Sequence, residues 1–131
     1  MKTSIATVSV SGDLEEKLQA IAAAGFYGVE IFENDFLIYP GSAADVGRIA
    51  RDLGLIITLY QPFRDFEGLP PAEKQRVFDR AERKFDVMQE MGVDMMLVCS
   101  NCSPAAIGGI GIANIAPNDA MILPYEVTRA G

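Results

Sequence analysis

Over roughly the first hundred residues, the apolar positions switch between two spacings. Ser4–Val10 (SIATVSV), Gly28–Phe32 (GVEIF), Leu55–Tyr60 (LIITLY) and Met95–Cys99 (MMLVC) are nearly continuous runs of apolar or β-branched residues. Such runs predict strands buried on both faces. Between them the apolar residues return every three or four positions. Leu14, Leu18, Ile21 and Ala22 make one set, Val46, Ile49, Ala50 and Leu53 a second, and Val77, Ala81, Phe85 and Met88 a third. That period predicts three helices, each with one inward stripe.

The punctuation agrees with the periods. Asp13 precedes Glu16, and Ser42 precedes Asp45, at the spacing of a capping box, in which each partner satisfies a backbone N–H of the other. Pro70-Pro71 can open the third helix, where a missing N–H does no harm. Gly25, Gly54 and Gly92 stand where helices end in the left-handed conformation. Strand and helix alternating at this interval predict an α/β fold, a parallel sheet covered by helices. After Ser103 the pattern stops. Residues 104–131 hold only three charged residues, Asp119, Glu126 and Arg129, with Gly108, Gly109, Gly111, Pro117 and Pro124. They are expected to form an irregular tail after a domain over 1–103, with Met121–Leu123 as its one strand-like run.

Composition narrows the chemistry. A chain of 131 residues with 50% hydrophobic and 22% charged residues is globular in character. A net charge of −7 argues against nucleic acid, whose binding begins with phosphate neutralisation. The sequence contains no His, so neither a Ser-His-Asp triad nor a His-rich metal site can be built from it. No run approaches the about 18 apolar residues of a membrane helix, and no secretory signal is recognisable. Two cysteines, Cys99 and Cys102, do not make a disulfide framework, and the expected location is cytoplasmic. Cys99 is expected to end a buried strand. Met88, Met91, Met95 and Met96 are expected to fill core. Gly109-Ile-Gly111 lacks the third glycine and the leading strand of a dinucleotide loop.

In parallel α/β folds functional groups gather at the carboxyl ends of strands. That rule selects Ser9 and Ser11, then Glu30, Phe32, Glu33 and Asn34, then Gln61–Gly68, then Ser100 and Asn101. Glu30 interrupts an apolar strand, so its carboxylate is either paired, with Arg64 or Lys84 as candidate cations, or used. Arg64 lies between Phe63 and Phe66. A guanidinium held by aromatic rings is a fork for a carboxylate or phosphate. The competing reading is a solvated arginine paired with Asp65 or Glu67.

Several of these segments resemble one family. Ser4-Ile-Ala-Thr-Val-Ser, Ala22-Ala-Ala-Gly-Phe-Tyr-Gly-Val-Glu-Ile-Phe-Glu-Asn-Asp35, Gln61-Pro-Phe-Arg-Asp-Phe-Glu-Gly68, Asp79-Arg-Ala-Glu-Arg-Lys-Phe-Asp86 and Leu97-Val-Cys-Ser-Asn101 resemble bacterial 3-dehydroshikimate dehydratases. These belong to the xylose-isomerase-like, or sugar phosphate isomerase/epimerase, TIM barrels. The resemblance covers roughly Met1–Ile107. It implies a metal-dependent dehydration of 3-dehydroshikimate to protocatechuate, in which a divalent cation (Mg, Mn or Co) polarises the ketone, a base removes the adjacent proton and water leaves. It implies that Arg64 grips a substrate carboxylate and that Glu30, Glu33, Gln61, Ser100 and Asn101 line the mouth.

A full (β/α)8 barrel takes about 250 residues, so four strands predict the N-terminal half of one. The family's metal ligands and catalytic histidine come from later strands, and no metal ligand is assigned in this chain. The resemblance therefore implies a dehydratase-like half-barrel, inactive as an isolated chain, with a tail from a truncated or frame-shifted gene. Two other readings stand beside it. One is a sugar phosphate or hydroxy-acid isomerase of the same barrel class. The other is a non-enzymatic half-barrel that binds a partner or forms a homodimer through its open sheet edges.

Overall fold

Both capping boxes form. The Asp13 carboxylate accepts from the Glu16 N–H at 2.9 Å while Glu16 accepts from the Asp13 N–H at 3.0 Å. Ser42 and Asp45 make the same exchange, and the two helices begin one residue after their caps. The structure, a computed structural model, describes residues 1–99. The tail over 104–131, its Met121–Leu123 run, Cys102 and the site candidates Ser100 and Asn101 lie outside the described residues.

The chain runs β1 (Ser4–Ala6), a 3-10 turn (Thr7–Ser9), α1 (Leu14–Ala23), β2 (Gly28–Phe32), α2 (Glu33–Leu37), α3 (Ala43–Asp52), β3 (Ile56–Phe63), α4 (Pro71–Met91) and β4 (Met96–Val98). The strands form one sheet in the order β1-β2-β3-β4. β1 pairs with β2, and β2 with β3, in parallel. Each strand lies beside the next in sequence, the order of a barrel wall.

Among the described residues, contacts divide the chain into two units, Met1–Pro62 with Val87–Leu97, and Phe63–Asp86 with Val98 and Cys99. The first unit's core joins Leu14, Leu18 and Ile21 of α1, Val29 and Ile31 of β2, Val46 and Ala50 of α3, Tyr60 of β3, and Met91. Burying each larger aliphatic side chain contributes about 1.5–3 kcal/mol against leaving it in water. In the second unit Phe63, Val77 and Ala81 are buried.

The structure departs from the sequence pattern in four places. β1 stops at Ala6, because Thr7 is fully buried and its Oγ1 accepts from the Phe32 N–H at 3.0 Å as the chain turns. α2 follows β2 directly, although its N-cap, Phe32, offers no side-chain cap to announce it. β3 continues three residues past Tyr60, so residues read as loop belong to a strand, and its Gln61-Pro62 bond is cis. Met88 and Met91 are core, as expected, whereas Met95 is 58% exposed and fills nothing.

Candidate functional site

Side chains on a strand alternate between faces, and β2 shows it. Val29 and Ile31 are fully buried, while Glu30 and Phe32 on the opposite face are half-buried. The register with β3 decides what Glu30 meets. Val29 lies opposite Ile57, but Glu30 lies opposite Leu59, so Thr58 is an extra residue at a bulge. A one-residue shift reverses which face every later side chain takes. Because of it, Tyr60 pairs with buried Ile31 and Gln61 with Phe32, on the face of Glu30. Gln61 Nε2 then donates to Glu30 Oε2 at 3.0 Å. The hydrogen-bond partner of Glu30 is thus a neutral amide from the neighbouring strand, one the sequence reading did not consider.

Glu33 opens α2, the element that directly follows β2. The Tyr60 hydroxyl donates to Glu33 Oε1 at 3.4 Å, and the Tyr60 ring stands edge-on to Phe36, with centroids 6.5 Å apart at 74°. Burial pushes the Tyr60 phenol well above its ordinary pKa, and the adjacent Glu33 carboxylate adds to the shift. Tyr60 therefore stays a proton donor throughout the physiological range. Reading by strand ends missed it because Tyr60 counts as a core residue by pattern.

In the second unit Arg64 is exposed and follows the end of β3. The expectation that Phe63 and Phe66 hold its guanidinium needs correction. The two rings stack on each other, with centroids 5.1 Å apart and planes at 12°. The cations over Phe63 come from α4, with Arg80 at 5.2 Å and Lys84 at 5.9 Å from the ring centroid. What fixes Arg64 is its backbone: its carbonyl accepts from the Arg80 guanidinium, and Asp65 after it takes a left-handed conformation, φ 59°. Arg64 itself is exposed.

No three His, Cys, Asp or Glu side chains come together as a metal-binding group among the described residues. Glu30 and Glu33 already accept from Gln61 and Tyr60. The described residues do not fit the divalent cation that the resemblance implies. Among the described residues no helix is long and apolar enough to cross a membrane.

Known proteins match this arrangement. The chain is 63% identical over 108 residues to a 3-dehydroshikimate dehydratase from Pseudomonas putida, and 64% identical over 108 residues to one from Pseudomonas aeruginosa. Each match covers 82% of this chain and 17% of the relative, so the chain spans about a sixth of the length of these curated relatives. A solved xylose isomerase-like TIM barrel/4-hydroxyphenylpyruvate dioxygenase fusion protein superposes with a TM-score of 0.80 at 63% identity, over 82% of this chain and 17% of that one. The family model described as a xylose isomerase-like TIM barrel matches residues 18–120. With four sequential parallel strands, and polar side chains at their carboxyl ends, the chain belongs to the xylose isomerase-like TIM barrel family.

Proposed function

We propose that this chain supplies the first three strand–helix units and the fourth strand of a 3-dehydroshikimate dehydratase, which converts 3-dehydroshikimate to protocatechuate. The observation that carries the reading is the 63% identity over 108 residues to the Pseudomonas putida enzyme. Several residues support the substrate class. Arg64 offers an exposed guanidinium, a group suited to a planar carboxylate. Glu30 and Gln61 offer a paired acceptor and donor to substrate hydroxyls. Glu33 accepts from the Tyr60 hydroxyl, which supports its reading as a residue of the mouth.

The dehydration needs a proton removed beside the ketone and a hydroxyl expelled. The sequence contains no histidine, and the described residues include no three-ligand centre. The chain alone is therefore expected to form no protocatechuate. The test is a hybrid enzyme, in which the aligned 108 residues replace their counterpart in the Pseudomonas putida dehydratase. Formation of the aromatic product by the hybrid, and none by the chain alone, is the expected result. A folded hybrid without turnover overturns the reading.

A further inference from the structure

The polar contacts of α2 are unusual for a helix of five residues. Such a helix has little stability of its own, since nucleation costs more than one turn returns. Four contacts hold it. Thr7 Oγ1 accepts from the N–H of its cap residue Phe32, Tyr60 reaches Glu33, the Phe36 ring meets the Tyr60 ring, and Lys17 of α1 reaches Asp35.

The last contact does not suit a purely stabilising role. Lys17 Nζ lies 2.8 Å from Asp35 Oδ1, and the two side chains are only 8% and 13% exposed. The other carboxylate oxygen, Asp35 Oδ2, is buried with no hydrogen-bond partner among the described residues. Two charges taken out of water, one of them half satisfied, are often no better than an apolar pair of similar volume. What such a pair supplies is a fixed direction. Here the direction joins the fourth residue of α1 to the third residue of α2, two residues beyond Glu33. The end of α2 is in solvent, with its last residue Leu37 at 67% and its C-cap Ile38 at 78% exposed, so packing there does not fix it.

We propose that Lys17 and Asp35 are a positioning pair that locks α2 against α1 and so holds the Glu33 carboxylate at the Tyr60 hydroxyl. Its bearing on catalysis rests on the dehydratase reading above; its bearing on the geometry of Glu33 does not.

The test begins with the whole chain. Lys17→Met/Asp35→Leu replaces the pair by apolar side chains and leaves the net charge unchanged. Nuclear magnetic resonance reads amide exchange over residues 34–37 and the side-chain carboxyl carbon of Glu33. The thermal midpoint is expected to hold or rise, exchange in α2 to quicken about tenfold or more, and the Glu33 resonance to move toward its position in a Tyr60→Phe control. A folded double variant with unchanged exchange and an unchanged Glu33 resonance overturns the proposal. If that variant fails to fold, Asp35→Asn decides by the same two readings. Lys17→Arg, which keeps the charge, is expected to preserve both.

In the hybrid enzyme the double variant is expected to lower kcat by about tenfold to a hundredfold while KM stays within about threefold, the pattern of a displaced group. Unchanged kcat overturns the positioning role. An inactive parent hybrid instead overturns the dehydratase reading, and the resonance measurements then judge the pair alone.

Discussion

The hydroxyls of Ser4 and Thr58 meet at 2.9 Å although they stand on β1 and β3, with β2 between them. Gly28 makes the meeting possible. A Cβ built there would lie 2.6 Å from Thr58 Cγ2, 3.1 Å from the Ile56 carbonyl oxygen and 3.3 Å from Ser4 Oγ. Thr58 also donates to the Val29 carbonyl at 3.2 Å, so its single proton is engaged and Ser4 is the donor between the two. Thr58 is the bulge residue. The glycine, the two hydroxyls and the bulge together place Gln61 on the face of Glu30.

Gly28→Ala should therefore destabilise the chain by about 1–3 kcal/mol, the range for overpacking a filled site. Urea unfolding measures it. Thr58→Val, which keeps the shape and removes the hydroxyl, should cost about 1 kcal/mol. A Gly28→Ala variant as stable as the parent would show that the strands part without cost and that Gly28 does not set the register.

A second glycine tests sign. Gly47 sits inside α3, where alanine would ordinarily gain about 1 kcal/mol in helix propensity. A Cβ there would lie 2.4 Å from the Met91 carbonyl oxygen, a backbone atom that cannot swing away. Gly47→Ala is thus expected to be net destabilising, by about 1–3 kcal/mol in urea unfolding. A stabilised variant would contradict this packing of α3.

The N-terminus of α3 should respond to acid. Hydrogen bonds from the Ser42 backbone, then the Ser42 hydroxyl, then Arg48, lower the Asp45 pKa from 3.8 to about 2. A depressed folded-state pKa means the cap contribution is present above the unfolded value. It is lost as pH falls from about 4 toward 2. Carboxyl resonances of Asp45 should titrate near 2, and Ser42→Ala should return the midpoint toward the ordinary carboxylate range. An Asp45 midpoint near 4 in the parent would contradict the capping box.

Arg64 offers a test of substrate recognition. In the hybrid enzyme Arg64→Ala should lower kcat/KM by about tenfold to a hundredfold through loss of a charge-assisted pair. Arg64→Lys should recover only part, because an ammonium lacks the planar fork. Unchanged kcat/KM in the alanine variant would remove Arg64 from the substrate's surroundings.

What was legible in the sequence was local. Asp13 with Glu16 and Ser42 with Asp45 announce their helices because both partners lie within one turn. β2 is bounded by Gly28 and Phe32 as its apolar run indicates. The strand-end rule selected Glu30 and Gln61 separately, but their hydrogen bond depends on the bulge at Thr58, a feature of pairing between strands that no single-strand pattern records. The stacking of Phe63 on Phe66 under Arg80 and Lys84 likewise joins a strand end to a helix more than a dozen residues away. Sequence proximity suggested Arg64 as the cation for those rings; three-dimensional proximity selects the helix. α2 escaped notice because its cap residue is a phenylalanine and its anchors, Thr7, Lys17 and Tyr60, are scattered along the chain.

The proposed dehydratase origin of these strands is open to direct test. The most direct measurement is kcat/KM of the hybrid enzyme for 3-dehydroshikimate beside a panel of sugar phosphates, with circular dichroism to show that the hybrid is folded. Protocatechuate formation is expected with kcat/KM within about tenfold of the Pseudomonas putida parent, and no turnover of the phosphates. A folded hybrid that leaves 3-dehydroshikimate untouched, or that isomerises a sugar phosphate instead, would contradict it.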